Sequence, residues 1–326
     1  MSKVYFSKEI EGIINQIDFS VLGQNVAIKV HFGEEGCDTF INPDLVRKVY
    51  QKIESLSRDV TLIECNVLYK GSRTNSTDHI ETAKHHGFTD MKIDILDGEK
   101  GDEFVEIDGC KIGKGIEKYD SLVVISHFKG HMETGFGGAI KNIGMGLASR
   151  AGKLAIHAGV HPIVSDKCIG CSICAEHCDV NAIMIDDNKA HIDEKKCIGC
   201  AMCIAVCPIN AMDIPWEGKS ASEVQVGISE YSKAILEKFP KPIFINVLQN
   251  ITKLCDCMDV RQEPIMEDVG IVYSDDIVAV EKASLDLVNE KSAGEFRKIN
   301  GIDHDNQLKV AEEFGLGNQG YELVEI

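Results

Sequence analysis

The sequence lacks a long hydrophobic segment, and this absence limits where the protein can work. No apolar run approaches the roughly 18 residues that a membrane-spanning helix needs. The first residues, MSKVYFSKEIEG, carry scattered charges and contain no apolar core of the kind found in secretory signal peptides. We therefore expect a cytoplasmic protein that does not enter a membrane.

Basic residues are scarce relative to acidic ones. The chain has 34 Lys and Arg against 52 Asp and Glu, a formal net charge of −18. Such a field repels phosphate backbones, so we expect no nucleic acid partner. The same field suits docking to a basic patch on a redox partner protein, although a net charge also serves solubility alone.

Cysteine is abundant, although a reducing cytoplasm disfavours structural disulfides. Eight of the 13 cysteines fall between Cys168 and Cys207. The other five are spread over the rest of the chain: Cys37, Cys65, Cys110, Cys255 and Cys257. Clustering of this kind indicates metal ligation rather than a disulfide scaffold.

An internal repeat contains the clustered cysteines. Segments 166–186 (DKCIGCSICAEHCDVNAIMID) and 195–214 (KKCIGCAMCIAVCPINAMDI) align at a spacing of 29 residues. Each contains C-x2-C-x2-C-x3-C, a run in which three thiolates bind one 4Fe–4S cluster and the fourth binds the other. The predicted ligand sets are Cys168, Cys171, Cys174 with Cys207, and Cys197, Cys200, Cys203 with Cys178.

Two zinc sites are the alternative interpretation of these cysteines. Zinc ribbons use C-x2-C pairs that lie far apart, rather than four cysteines in one tight run. The repeat resembles the bacterial two-cluster ferredoxins over about 50 residues. The resemblance implies two closely spaced clusters that transfer electrons one at a time.

Strand-like and helix-like segments alternate outside the repeat. The predicted strands are 25–32, 60–65, 91–96, 121–127, 242–247, 268–273 and 322–326. The predicted helices are 42–56, 76–86, 139–148, 223–238, 277–290 and 306–314. This alternation predicts an α/β fold, a parallel or mixed sheet with helices on both faces, interrupted by an inserted ferredoxin-like α+β domain. The predicted boundaries are 1–163 and 216–326 for the two parts of the α/β domain and 164–215 for the insertion.

Three predicted strands are followed by polar segments, and in such sheets functional groups gather beyond the carboxyl ends of the strands. The segments are HFGEEGC (31–37), SHFKGHMETGFGGAIKNIGMG (126–146) and NITKLCDCMD (250–259). If they converge, their imidazoles, amines and carboxylates suit proton transfer. The catalytic candidates are His31, Glu34, Lys129, His131 and Lys141.

A glycine-rich turn within the second segment is a candidate anion site. Gly135, Gly137 and Gly138 precede a predicted helix, so bare backbone N–H groups can hold an anion with help from Lys141. Close packing of a helix on a sheet also requires glycine and is the alternative. The turn is neither G-x-G-x-x-G nor a P-loop, so it does not predict nucleotide binding.

The pair Cys255 and Cys257 has three interpretations: a third metal site, a redox thiol pair, or two core cysteines. Cysteines at this spacing seldom form a disulfide with each other because the geometry is strained. The sequence leaves the three interpretations open.

Four segments carry a further resemblance: 28–36 (IKVHFGEEG), 69–88 (YKGSRTNSTDHIETAKHHGF), 126–146 and 255–288. They resemble a family of unknown function, DUF362, in its iron–sulfur-centre branch. The resemblance implies a cytoplasmic iron–sulfur protein of anaerobic metabolism with clusters inserted in the fold, but it implies no substrate. The sequence reads Asp-Ile-Val-Ala at 276–279, where the family usually has Asp-Pro-Val-Ala.

These observations leave three functions. The first is an oxidoreductase that passes electrons through both clusters to a small anionic molecule. The second is an electron carrier or scaffold that docks a redox partner protein and has no substrate of its own. The third is a non-redox enzyme whose clusters are structural or sensory.

One residue of the repeat generates a prediction. Asp179 follows Cys178 where the second run has Pro208 after Cys207. A carboxylate disfavours the addition of an electron, so Asp179→Pro should raise the potential of the cluster that Cys178 binds, on the order of tens of millivolts. A redox titration that finds both potentials unchanged would contradict this assignment.

Overall fold

The described residues, 1–159 and 161–326 of this computed structural model, form sixteen strands and ten helices. The strands are β1 (Ser2–Ser7), β2 (Asn25–Lys29), β3 (Asp59–Glu64), β4 (Ile93–Ile95), β5 (Phe104–Ile107), β6 (Cys110–Gly113), β7 (Ser121–His127), β8 (Lys129–His131), β9 (Gly135–Gly137), β10 (Ile163–Val164), β11 (Ile183–Asp186), β12 (Lys189–Ile192), β13 (Met212–Asp213), β14 (Ile243–Leu248), β15 (Gly270–Ser274) and β16 (Tyr321–Glu325). The helices are α1 (Ile10–Gln16), α2 (Pro43–Glu54), α3 (Ser76–His85), α4 (Ala139–Gly144), α5 (Arg150–His157), α6 (Ile173–Glu176), α7 (Met202–Val206), α8 (Ala221–Leu236), α9 (Ile277–Lys291) and α10 (His304–Glu313).

Eight strands form a central sheet in the order β16-β1-β15-β14-β7-β2-β3-β4. Strand β15 runs antiparallel to both of its neighbours, and the other neighbouring pairs are parallel. The predicted mixed α/β sheet is thereby confirmed. Strands β7 and β14 are buried along their whole length, as expected for strands covered on both faces.

Side chains on the two faces of the sheet belong to two different hydrophobic clusters. Ala27, Val124 and Phe244 belong to a cluster that includes residues of α4, α8, α9 and α10. Their neighbours Val26 and Val123 belong to a second cluster with residues of α1, α2 and α3. The alternation follows the two-residue period of a strand, so helices cover both faces. Among the described residues, no helix combines the length and apolar composition that crossing a bilayer requires.

The cysteine-rich segment, residues 164–215, lies in the chain between α5 and α8. Strand β10 pairs with β13, and β11 pairs with β12, both antiparallel. Residues with left-handed backbone conformations (positive φ) recur in the two halves at the 29-residue spacing of the sequence repeat. The equivalent pairs are Gly170 and Gly199, Ser172 and Ala201, and Asn181 and Asn210. The internal repeat is therefore a repeat of conformation as well as of sequence.

Some predicted boundaries are wrong. Strand β2 ends at Lys29 rather than at residue 32, because the backbone must turn toward Gly33, whose φ is +82°. Helix α4 ends at Gly144, four residues before the predicted end. The sequence analysis missed α5, which Ser149 caps by accepting a hydrogen bond from the Gly152 amide.

The contact between α4 and α8 generates a prediction about stability. A Cβ at Gly144 would lie 2.2 Å from the Ile228 carbonyl oxygen, whereas a Cβ at Gly227 would meet its neighbours at an ordinary 3.5 Å or more. We expect Gly144→Ala to lower the free energy of unfolding by about 1–3 kcal/mol because the helices must move apart. Gly227→Ala, the matched control, should be neutral or stabilise by about 0.5–1 kcal/mol. Equal unfolding midpoints for the two variants in urea would contradict the packing.

Candidate functional site

A cavity of about 670 Å³ opens beyond the carboxyl ends of four parallel strands. Its walls come from the segments that follow β2, β3, β7 and β14. Strand β2 has β3 as its neighbour on one edge and β7 as its neighbour on the other. The strand order therefore reverses here, which makes this edge of the sheet a topological switch point. All the predicted catalytic residues and the pair Cys255 and Cys257 line the cavity. The catalytic candidates among them are His31, Glu34, Lys129, His131 and Lys141.

Glu34 is bound by the segment that follows β3. Its carboxylate accepts hydrogen bonds from the Ser72 amide at 2.9 Å and from Arg73 Nε at 3.1 Å. Burial acts to raise the pKa of Glu34, but the Arg73 charge and the Ser72 hydrogen bonds have the larger combined effect. The net result is a lowered pKa. Glu34 therefore binds this segment through its carboxylate.

Arg73 was missed by the sequence analysis, because nothing in GSRTN signals burial. Its side chain is only 1% exposed and bonds to Tyr69, Glu34 and His31. Within the cavity wall it supplies a fixed positive charge.

His31 lies between two hydrogen-bond donors. Its Nδ1 accepts a hydrogen bond from the Gly33 amide at 3.0 Å, and its Nε2 lies 3.1 Å from Arg73 Nη1. Burial and the neighbouring Arg73 guanidinium lower the pKa of His31 well below its usual value. With Nδ1 accepting, the proton of a neutral ring is on Nε2, beside the guanidinium.

A buried ion network fixes the ends of β7 and β14. Asp256 lies 2.8 Å from His127 Nδ1 and 3.3 Å from Lys129 Nζ. His127 Nε2 lies 2.9 Å from the Gln249 carbonyl oxygen, so both ring nitrogens face acceptors. Burial acts to raise the pKa of Asp256, but His127 and Lys129 lower it.

Cys255 lies beside this network and contacts Lys141. Lys141 Nζ donates to Cys255 Sγ at 3.3 Å. A hydrogen bond from the Cys257 thiol, followed by Lys141, Lys129 and His131, lowers the pKa of Cys255 well below its usual value despite burial. The same hydrogen bond, together with burial, raises the pKa of Cys257 well above its usual value. Both shifts, with the Lys141 contact, favour the thiolate form at Cys255 over that at Cys257.

His131 has a defined tautomer. Its Nδ1 accepts hydrogen bonds from the backbone amides of Glu133 and Thr134, both at 3.2 Å. Since those amides can only donate, the ring proton is on Nε2. Burial, followed by Lys141, lowers the pKa of His131. Among the described residues, His131, Cys255 and Cys257 form the one group with three candidate metal-ligand atoms within 4.8 Å of one another.

The glycine-rich turn packs closely and does not expose a helix end. The Ala139 amide at the start of α4 donates to the buried carboxylate of Glu281. A Cβ at Gly138 would meet that carboxylate at 2.1 Å, and one at Gly135 would meet His304 at 2.3 Å. Gly137 pairs with Lys129 between β9 and β8. The expected anion site at the helix start is therefore filled by a protein carboxylate.

The eight clustered cysteines lie in the segment 164–215. The four of the first predicted set line one small cavity: Cys168, Cys171, Cys174 and Cys207. In the second set, burial raises the pKa of Cys200, and the neighbouring Cys178 and Cys197 thiols contribute. Backbone amides donate to Cys168, Cys178 and Cys207 sulfurs at 3.1–3.3 Å.

The cavity wall joins this segment directly. Lys70 Nζ donates to the Cys207 carbonyl oxygen at 3.1 Å. The preceding residue, Tyr69, donates from its hydroxyl to the Cys257 carbonyl oxygen at 2.8 Å. Leu68 packs in the same hydrophobic cluster as Cys174 and Cys207. One stretch of chain therefore contacts both groups of cysteines.

The buried pair of Glu34 and Arg73 generates a prediction. Glu34→Gln should lower the free energy of unfolding by about 3 kcal/mol, because it leaves Arg73 buried without a counter-charge. Asp59→Asn is the matched control, since it removes an exposed pair with Lys92 and should cost less than about 1 kcal/mol. Chemical denaturation measures both, and equal losses would contradict the buried pair.

Comparisons with known proteins show limited similarity to solved structures. The lactate racemase apoprotein from Thermoanaerobacterium thermosaccharolyticum is 14% identical, with a TM-score of 0.38, over 76% of this chain and 50% of that chain. A Thermotoga maritima protein solved by the Northeast Structural Genomics Consortium is 10% identical, with a TM-score of 0.41, over 88% of this chain and 58% of that chain. The chain thus spans little more than half the length of these structures.

Sequence comparison identifies the family. No curated protein matches the chain. A family model described as "Domain of unknown function (DUF362)" matches residues 26–286, which is most of the chain. The chain therefore belongs to the DUF362 family.

Proposed function

We propose that this protein is an iron–sulfur oxidoreductase of the DUF362 family's iron–sulfur-centre branch. In this proposal residues 164–215 are a ferredoxin-like domain that holds two 4Fe–4S clusters. When bound, the clusters supply low-potential electrons one at a time. The substrate is a small anion in the cavity at the switch point. The observation that carries the proposal is the contact between Lys70, on the cavity wall, and Cys207, a predicted cluster ligand.

The eight clustered thiols fit such clusters better than zinc. Zinc ribbons use C-x2-C pairs that lie far apart, whereas each of these runs holds four cysteines. The amides that donate to three of the sulfurs are groups that tune cluster potentials.

The backbone around the thiols also supports a bound group. Ser172 and Ala201 adopt left-handed conformations, with φ of 68° and 58°, between the second and third cysteine of each run. Such conformations cost on the order of 1 kcal/mol each for residues other than glycine and persist where the surroundings require them. Their exact repetition supports two equivalent binding loops.

The cavity has the charges to hold an anion. Five cationic side chains line it, although the chain as a whole has a net charge of −18: Lys70, Arg73, Lys129, Lys141 and Lys153. Glu34 pairs with Arg73, Asp256 lies against both His127 and Lys129, and Lys141 lies against Cys255. The lining also includes the carboxylates of Glu64, Glu133 and Asp259. His131 presents its Nε2 proton to this region and is the residue best placed to donate one.

An electron carrier that docks a partner protein is the second candidate. Ile169 and Ile198 are 61% and 56% exposed, at the position after the first cysteine of each run. Met184 on β11 is also 61% exposed. Exposed apolar side chains beside a redox site favour contact with a partner protein.

The two candidates differ in what reoxidises the reduced protein. We expect Lys129→Met and Lys141→Met each to lower the rate of reoxidation by small anionic oxidants about tenfold or more, because each removes a charge-assisted contact. The measurement is stopped-flow absorbance of anaerobic, dithionite-reduced protein. Lys141→Arg should keep most of the rate, and Lys309→Met, an exposed lysine outside the cavity, should keep all of it.

The carrier function predicts the opposite pattern. Rates with small anions would then be insensitive to Lys129 and Lys141, whereas Ile169→Asp would slow electron transfer to a protein acceptor. That pattern would replace the first candidate with the second.

A further inference from the structure

We propose that Cys255 and Cys257 are a redox-active dithiol that reduces an anionic disulfide in the cavity. The inference rests on the proposed function for its electron supply, but the thiol chemistry itself does not. The substrate class is a small disulfide that carries carboxylate or phosphate groups.

The geometry of the pair suits exchange with a disulfide. The sulfurs of Cys255 and Cys257 lie within 4.8 Å of each other, and both residues line the cavity. Cys255 is buried beside Lys141, and Cys257 is partly exposed. A substrate disulfide that enters the cavity therefore meets a thiolate with a second thiol beside it.

A metal ion is a poor occupant for this site. Lys141 Nζ lies 3.3 Å from Cys255 Sγ, and Lys129 and Arg73 also line the cavity, so an added cation would meet three positive side chains. His131 has its proton on Nε2, since two backbone amides donate to Nδ1. Metal-bound histidines instead donate their second ring N–H to an acceptor. The same cations favour a thiolate and an anionic substrate.

The first step forms a mixed disulfide. The Cys255 thiolate attacks one sulfur of the substrate disulfide, a new S–S bond forms, and the substrate S–S bond breaks to release one thiolate. Lys141 and Lys129 stabilise the charge on that leaving sulfur, and His131 can protonate it.

The second step uses Cys257. Its thiol is held protonated by the hydrogen bond to the Cys255 thiolate, while Lys141 and Arg73 act to lower its pKa. Once Cys255 is part of a neutral mixed disulfide, its hydrogen bond and its charge no longer raise the pKa of Cys257, and Lys141 and Arg73 act against burial alone. Cys257 then loses its proton and attacks Cys255 Sγ, which forms the Cys255–Cys257 disulfide and releases the second substrate thiol.

Regeneration requires two electrons and two protons. Two bound 4Fe–4S clusters would supply one electron each, which matches the two electrons that one disulfide takes up. The short Cys-x-Cys ring is strained, and strained disulfides are the easily reduced ones. The balance is one substrate disulfide, two electrons and two protons converted to two substrate thiols.

Thiol exchange with the intact full-length protein tests the pair without any electron supply. The probe is dithiobis(nitrobenzoate), an aromatic disulfide with two carboxylates, added under anaerobic conditions to protein with oxidised clusters. A double variant, Cys255→Ser with Cys257→Ser, gives the background release. Above that background the unchanged chain should release about two nitrothiophenolates per molecule, and mass spectrometry should find no adduct on it. Cys257→Ser should release about one and retain the adduct. Cys110→Ala, a buried cysteine outside the cavity, should behave like the unchanged chain.

Lys141 is a positioning residue in this scheme, and its test is a pH profile. Lys141→Met should slow exchange near pH 7 about tenfold or more and move the profile to higher pH, because the thiolate loses its ammonium partner. Lys141→Arg should restore both. An adduct retained on the unchanged chain would overturn the dithiol, and so would a Cys257→Ser variant that releases and retains as much as the unchanged chain. Stoichiometric zinc binding that blocks exchange and requires His131 would overturn it as well.

A second arm separates this inference from the proposed function. Protein whose pair has been oxidised is reduced with dithionite, and the probe is added while cluster absorbance is recorded. Reoxidation of both clusters by about one probe molecule per chain, lost in Cys255→Ser, supports the coupling. Exchange in the first arm without cluster reoxidation in the second would leave the dithiol intact and refute the electron supply.

Discussion

The Asp256 carboxylate is the interaction on which the site depends. It binds His127 at the end of β7 and Lys129 two residues later, and its own backbone carbonyl accepts the Glu34 amide at 2.9 Å. Three strand ends are thereby joined through one residue that is fully buried. Breaking a buried charge network leaves the remaining charges without partners, which is energetically costly. The three segments are therefore held at fixed positions relative to one another. Lys129, held by Asp256, is one of the groups that lower the pKa of Cys255.

The position of the cysteine-rich segment follows from the same edge of the sheet. The chain leaves the sheet after β7 and returns to it at β14, and the loop after β3 contacts the intervening residues through Lys70 and Leu68. Both groups of cysteines therefore meet one loop. In the proposed function this proximity lets an electron donor and a two-electron thiol pair share one cavity, with Tyr69 bonded to Cys257 on one side and Lys70 to Cys207 on the other.

Sequence patterns predicted the sheet well because burial leaves a local signature. The strand 121–127 was predicted to the residue, since a fully buried parallel strand is a continuous apolar run. The convergence of the strand-end residues followed from topology alone. Long-range pairings left no such signature: the carboxylate that fills the start of α4 comes from Glu281, and the partner of Glu34 is Arg73 in a polar loop. Strand β1 was missed because its alternating polar residues suit an edge region as well as a loop.

The central claim is that residues 164–215 hold two clusters of four irons each. The most direct measurement is iron and acid-labile sulfide analysis of anaerobically prepared protein, together with its Mössbauer spectrum. The account predicts about eight irons and about eight sulfides per chain, in quadrupole doublets typical of 4Fe–4S centres. A protein that contains zinc and no labile sulfide, or one that folds with neither, would contradict it.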